Sequence, residues 1–173
     1  IRKGKWEKMM GNLLCGKKVG IIGFGRIGKK VAELLKPFNC EIAYIDPLVD
    51  DSDPGLKSLP MEELLKWSDI ITIHISGKGK VIGSKELGLM KAGSWIINIS
   101  RGEAIDELAL YGHLKNGHIS GAALDTFQEE PYNGPLKELG NVLLTPHIGS
   151  YAKEARVKME IEAVKNLLAA LEK

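Results

Sequence analysis

The chain has 173 residues, 44% hydrophobic and 27% charged, with 24 basic against 22 acidic residues for a net charge of +2. That balance suits one soluble globular domain with a sizeable core, and it argues against a nucleic-acid partner or an anionic membrane surface. There is no apolar run of membrane-spanning length and no signal-peptide pattern, and Cys15 and Cys40 are too few for a disulfide framework and lack metal-ligand spacing, which together fit a cytoplasmic protein without a bound metal.

Residues 1–17 show no clear period and read as a basic entry arm whose one large apolar anchor is Trp6, able to pack on its own domain or on a second subunit. Val19–Ile22 is a short apolar run of the kind a strand buried on both faces requires. Gly23, Gly25 and Gly28 follow in the spacing G-x-G-x-x-G, with Arg26 and Ile27 inside it, and a helical repeat of Ile27, Val31, Leu34 and Leu35 ends at Pro37. Strand, glycine turn and helix are the context that the dinucleotide fingerprint needs. Gly23 serves the tight turn, Gly25 lets a pyrophosphate approach the backbone, and Gly28 lets helix and strand pack closely. The helix N-terminus supplies free N–H groups for the phosphates. A second strand, Glu41–Ile45, ends at Asp46, 18 residues past Gly28. A carboxylate there accepts both hydroxyls of the adenosine ribose and repels a 2′-phosphate, which selects NAD over NADP; the plainer reading of Asp46 is a turn former before Pro47.

Pro47–Pro60 is rich in turn formers, among them Asp50, Asp51, Asp53, Pro54 and Gly55. A short helix is predicted over Met61–Trp67, a strand over Asp69–Ile75, a flexible loop over Ser76–Gly83, and a helix N-capped by Ser84 and ending before Gly93. Ser94–Ile99 reads as a buried strand, and Asp106 as the cap of a helix that stops at Asn116-Gly117. Ile119–Leu124 and Val142–Leu144 read as strands, and 152–172 as a helix with Ala155, Met159, Ala163, Leu167 and Leu171 along one stripe. This alternation predicts an α/β fold, a Rossmann-type doubly wound parallel sheet covered on both faces, with ligands at the carboxyl ends of the strands.

Three segments that follow strands carry polar residues suited to such a site. In Asn98-Ile99-Ser100-Arg101-Gly102, Arg101 is either a surface arginine or a fork for a planar carboxylate, and Gly102 lets the backbone turn away. Asp125, Glu129 and Glu130 crowd six residues, as a solvated acidic loop or as part of a site. In Thr145-Pro146-His147-Ile148-Gly149 the histidine is oriented by its neighbours and suits acid–base work. His74 sits inside an apolar strand pattern, and His113 and His118 flank a turn, so these three read as structural.

The runs Ile-Asn-Ile-Ser-Arg-Gly-Glu-Ala-Ile-Asp, Gly-Ala-Ala-Leu-Asp-Thr-Phe-Gln-Glu-Glu-Pro and Leu-Thr-Pro-His-Ile-Gly, in this order behind the glycine fingerprint, resemble the D-isomer-specific 2-hydroxyacid dehydrogenases over nearly the whole chain. The resemblance implies that Arg101 binds the substrate carboxylate and carbonyl, that Glu130 pairs with the catalytic His147, and that Asp125 contacts the nicotinamide carboxamide. Ser100 and Gly149 join Gly23, Gly25, Arg26, Ile27, Gly28 and Asp46 as expected NAD contacts. It implies hydride transfer between NAD(H) and a small D-2-hydroxy acid. D-3-phosphoglycerate, as in serine synthesis, is expected from the abundance of such enzymes and not from any residue; glyoxylate or hydroxypyruvate is the alternative, and an NAD-sensing interaction module is an alternative of another class.

A homodimer through the cofactor domain is expected too, the arm around Trp6 resembling the segment that crosses to the partner. Two departures stand out. The family's His-x-Pro-Leu-Thr-like segment is here His74-Ile75-Ser76-Gly77-Lys78-Gly79, without proline, which predicts a more mobile border to the cofactor. The chain also runs from the entry arm at Ile1 to the exit helix, so the expectation is a lone cofactor domain, 1–173, that turns over poorly without a substrate lobe.

Overall fold

The computed structural model describes residues 2–8, 10–49, 55–77 and 79–171. Asp50, Asp51, Asp53 and Pro54 of the predicted turn-rich stretch, Lys78 of the predicted loop and Glu172 of the predicted last helix lie outside the described residues.

Apolar runs become strands and amphipathic runs become helices in regular alternation: β1 (Lys18–Ile22), α1 (Arg26–Leu35), β2 (Glu41–Ile45), β3 (Lys57–Ser58), α2 (Met61–Trp67), β4 (Ile70–Ile73), α3 (Ser84–Leu89), β5 (Ser94–Asn98), α4 (Glu107–Lys115), β6 (Ile119–Leu124), β7 (Val142–Leu144) and α5 (Lys153–Leu171). The sheet order is β3-β2-β1-β4-β5-β6-β7, and each ladder is parallel. Strand order reverses between β1 and β4, so a crevice opens beyond their carboxyl ends, and the glycine turn that leaves β1 lies beside it.

Right-handed crossovers explain how the two faces are filled. The step from β1 to β2 runs one way and places α1 on one face. There Val19, Ile21, Phe24, Ala32, Ile42 and Tyr44 form a core, with the Phe24 and Tyr44 rings stacked at 3.9 Å. The steps into β4, β5 and β6 run the other way and place α2, α3 and α4 on the opposite face. Ile22, Leu64, Ile71, Ile73, Leu87, Ile96 and Leu110 make the larger core there.

Several expectations are corrected. The sheet is not covered on both faces throughout: on the α1 side, β5 and β7 present Trp95 and Leu143 at 43% and 64% exposure, because α1 reaches only the β1–β2 half. The predicted stripe of α5 (Ala155, Met159, Ala163, Leu167, Leu171) is not buried: among the described residues of α5 none is. Trp6 does not pack on its own domain either, being 79% exposed.

Ser84 is not an N-cap; Gly83 occupies that position and Glu86 caps by accepting from its N–H at 2.9 Å. α1 ends at Leu35, before Pro37 as predicted, and Pro37 sits in a 3-10 turn over Lys36–Phe38. β3 was not predicted, because two polar residues carry no apolar pattern. The strand predicted over Asp69–Ile75 shortens to β4, as the Asp69 side chain turns to accept from Lys18 N–H and pairs with Lys91. Asp106 caps α4 as predicted, accepting from Ala109 N–H at 3.0 Å.

Candidate active site

At the glycine turn each glycine answers a different constraint. Gly23 has φ +91°, and a Cβ there would sit 2.7 Å from the backbone of His74 at the exit of β4. A Cβ on Gly28 would overlap the Gly23 carbonyl, so α1 can lie this close to β1 only with glycine. Gly25 faces open space, with nothing within 4 Å of a Cβ, and α1 begins there with no side-chain cap. An uncapped helix start behind an open glycine is a cradle that fits a pyrophosphate. Arg26 and Ile27 stand exposed at its rim. Asp46 reaches back from the end of β2, accepting from Phe24 N–H at 2.7 Å and from Leu48 N–H at 2.9 Å. It is therefore both the turn former of the plainer reading and a carboxylate tied to the glycine turn.

The β5 exit is built around Asn98, whose side chain is almost wholly buried. Its amide oxygen accepts from Ser100 N–H (3.1 Å) and Ser100 hydroxyl (2.9 Å), and its amide nitrogen donates to Arg101 carbonyl (2.8 Å). The Ser100 hydroxyl is thus engaged within the turn. Arg101 is exposed, donates to the Ser100 carbonyl at 2.7 Å, and among the described residues makes no ion pair. Gly102 is glycine for a reason other than turning: a Cβ there would overlap the Phe127 carbonyl, so the β5 and β6 exits touch backbone to backbone.

Asp125, at the β6 exit, is 5% exposed. Burial opposes its charge, but the Thr145 hydroxyl (2.6 Å) and the N–H groups of Ile148 (2.9 Å) and Gly149 (2.9 Å) donate to it and hold its carboxyl below the usual range. Asp125 and Gly149, both expected at the cofactor, are brought into contact with one another, and Asp125 anchors the loop that carries His147. That loop turns tightly: His147 N–H donates to the Thr145 carbonyl across Pro146, and His147 takes φ +53°, a left-handed conformation uncommon outside glycine and found often at functional positions. Glu130 accepts His147 Nδ1 at 2.9 Å with one oxygen and Phe127 N–H at 3.0 Å with the other. The bond to His147 and then that to Phe127 lower its pKa. An ionised carboxylate only accepts, so Nδ1 carries the proton and Nε2 is the ring nitrogen free to exchange one. An open cleft of about 610 Å³ lies against Phe127, Glu130, Tyr132, Thr145 and His147.

Of the three histidines read as structural, His74 bonds the Thr72 hydroxyl at 2.9 Å, and the His113 and His118 rings lie 5.2 Å apart. Sequence reasoning missed Asn98 and Thr145. An asparagine ending an apolar strand is a known turn signal and was the available clue for the first; nothing local marks the second.

A doubly wound sheet with a glycine cradle at its switch point, a carboxylate at the end of β2 and a carboxylate-held histidine beyond β7 defines a dinucleotide-binding domain. Residues 1–149 match the family described as D-isomer specific 2-hydroxyacid dehydrogenase, NAD binding domain, and the chain belongs to that family. It is 42% identical to the glyoxylate reductase of Thermococcus litoralis over 98% of this chain and 56% of that protein. Against the hydroxypyruvate reductase of Thermotoga maritima the identity is 36%, over 99% of this chain and 59% of that protein. The crystal structure of a glyoxylate reductase from Paecilomyes thermophila superposes with a TM-score of 0.92 at 35% identity, covering 99% of this chain and 55% of that one. The chain thus spans somewhat more than half the length of these relatives.

Proposed function

We propose that this chain provides the cofactor site and the acid–base histidine of a cytoplasmic, NAD-dependent reductase of a small 2-keto acid, glyoxylate or hydroxypyruvate. The observation that carries the reading is His147 held through Nδ1 by Glu130, on a loop anchored to Asp125. The relatives named above favour glyoxylate and hydroxypyruvate and lend nothing to D-3-phosphoglycerate.

When bound, NAD(H) supplies the hydride chemistry at C2 of the acid. Arg101, free of any ion pair among the described residues, holds the substrate carboxylate and polarises the carbonyl. His147 Nε2 gives a proton to the C2 oxygen during reduction and takes it back during oxidation. Glu130 fixes the ring's tautomer and offsets the charge it carries when protonated. The cradle at Gly25 and the Asp46 carboxylate hold the adenosine side of the cofactor. Calorimetric titration tests this half: Asp46→Ala is expected to weaken NADH binding by about tenfold, a loss of about 1.4 kcal/mol, and to narrow the preference over NADPH. Unchanged NADH affinity would remove Asp46 from the site.

An NAD-sensing interaction module is the alternative from another class, and turnover on a panel of 2-keto acids separates the two. The reading also includes a homodimer through this domain, supported by the unpacked Trp6 on the entry arm. Trp6→Ala is expected to shift sedimentation toward the monomer, and unchanged sedimentation would sink that role for Trp6.

A further inference from the structure

We propose that Asn98 is the positioning residue of Arg101: its buried amide sets where the guanidinium stands, and through it the affinity for the substrate carboxylate. This rests on the reading of Arg101 as the carboxylate-binding residue. Three observations carry it. The Asn98 side chain is 1% exposed, and both ends of its amide are used within the three residues that follow. By accepting from Ser100 N–H and donating to Arg101 carbonyl, it closes a side-chain turn that holds Arg101 extended, at φ −142° and ψ 134°. The Asn98 carbonyl also accepts Asp125 N–H at 3.0 Å, so the residue that shapes the Arg101 turn is tied to the anchor of the His147 loop.

A buried asparagine that merely ends β5 would affect stability alone. Asn98 as a positioning residue affects one ligand and not the other. An arginine fork binds two carboxylate oxygens only when it is presented at the right angle, whereas most of the expected NADH contacts, from Gly23 to Gly28 and Asp46, lie at the β1 and β2 exits, and the Ser100 hydroxyl is engaged by Asn98 itself.

The test uses oxamate, a carboxylate analogue of a 2-keto acid, titrated in the presence of saturating NADH. Asn98→Ala and Arg101→Ala are each expected to weaken oxamate about tenfold or more and to leave NADH affinity within about twofold. The double variant should be no weaker than Arg101→Ala alone, because residues acting through one contact are not additive. Asn98→Asp guards against a variant that fails to fold. It keeps the acceptor for Ser100 but loses the donor to Arg101, so Ser100 amide protection from exchange should survive while oxamate affinity falls.

Equal loss of NADH and oxamate affinity, or losses that add in the double variant, would overturn the proposal. If wild-type protein binds NADH but no oxamate, while Asn98→Ala still shifts the Arg101 Nε–H resonance and that of no other arginine, then Asn98 positions Arg101 and the carboxylate reading is what fails. An unmoved Arg101 resonance refutes the positioning role whatever oxamate does.

Discussion

Replacing Gly102 by alanine is expected to damage stability and site together. The added Cβ would overlap the Phe127 carbonyl, and neither partner is a side chain able to rotate away. Backbone must move on one strand exit or the other, which costs about 3 kcal/mol, at the upper end for overpacking. In a domain of this size that lowers the midpoint of thermal unfolding by about 6–12 °C, readable by calorimetry. The functional damage follows from what Phe127 does. Its N–H donates to Glu130, and Glu130 holds His147, so a shift at Phe127 loosens the histidine while the same substitution displaces Arg101 next door. Gly25→Ala is the matched control. Its Cβ meets nothing within 4 Å, so the fold should keep its stability while NADH binding weakens. Equal thermal midpoints for Gly102→Ala and wild type would show that the two exits do not touch as described.

Loss of the histidine is expected to have the largest effect on chemistry. His147→Asn suits the test because asparagine tolerates the left-handed backbone found there, which separates loss of the proton donor from loss of the loop. Turnover of glyoxylate with NADH should fall by about 10²–10⁴-fold, the usual contribution of a positioned acid, with NADH affinity nearly unchanged. Glu130→Gln should cost part of that, since the amide still accepts but carries no charge.

Acid should reproduce the second variant. Glu130 has a lowered pKa in the folded chain, through its bonds to His147 and Phe127, so its contribution is fully present above the ordinary carboxylate range and is lost as pH falls through the lowered value. Asp125 is lowered likewise, against its burial, so the anchor of the loop fails in the same direction. The Glu130→Gln enzyme should therefore lack the acid limb that Glu130 gives the wild-type profile. Wild-type activity in His147→Asn would remove His147 from the chemistry.

Much of this was legible in the sequence wherever the signal was local. The run Val19–Ile22, the spacing of Gly23, Gly25 and Gly28 and the placement of Asp46 at a strand end depend on neighbours along the chain, and β1, its turn and β2 stand where those patterns put them. The reason for Gly102 was misread because its constraint is Phe127, 25 residues away. Asp125 carries a second task beside the cofactor contact expected of it: the hydrogen bonds it accepts from Thr145, Ile148 and Gly149 cross from one strand exit to another and leave no periodicity to see. The bare half of the sheet escaped notice for a related reason. Apolar strands say that a face wants cover, and only crossover handedness and the course of α5 say whether it gets any.

The parallel sheet has a further consequence, for when the site can exist at all. Among the described residues no ladder joins strands through a short hairpin; β1 pairs with β2 at Lys18–Glu41 and with β4 at Val19–Ile70, and β5 pairs with β6 only after α4 has been traversed. Each ladder must therefore close a long loop before its hydrogen bonds form, which makes such topologies high in contact order and slow to fold. Arg101 hangs from the end of β5, Glu130 lies beyond β6 and His147 follows β7. The glycine cradle needs only β1, α1 and β2, whereas Arg101, Glu130 and His147 come together last, when β7 docks at the sheet's edge.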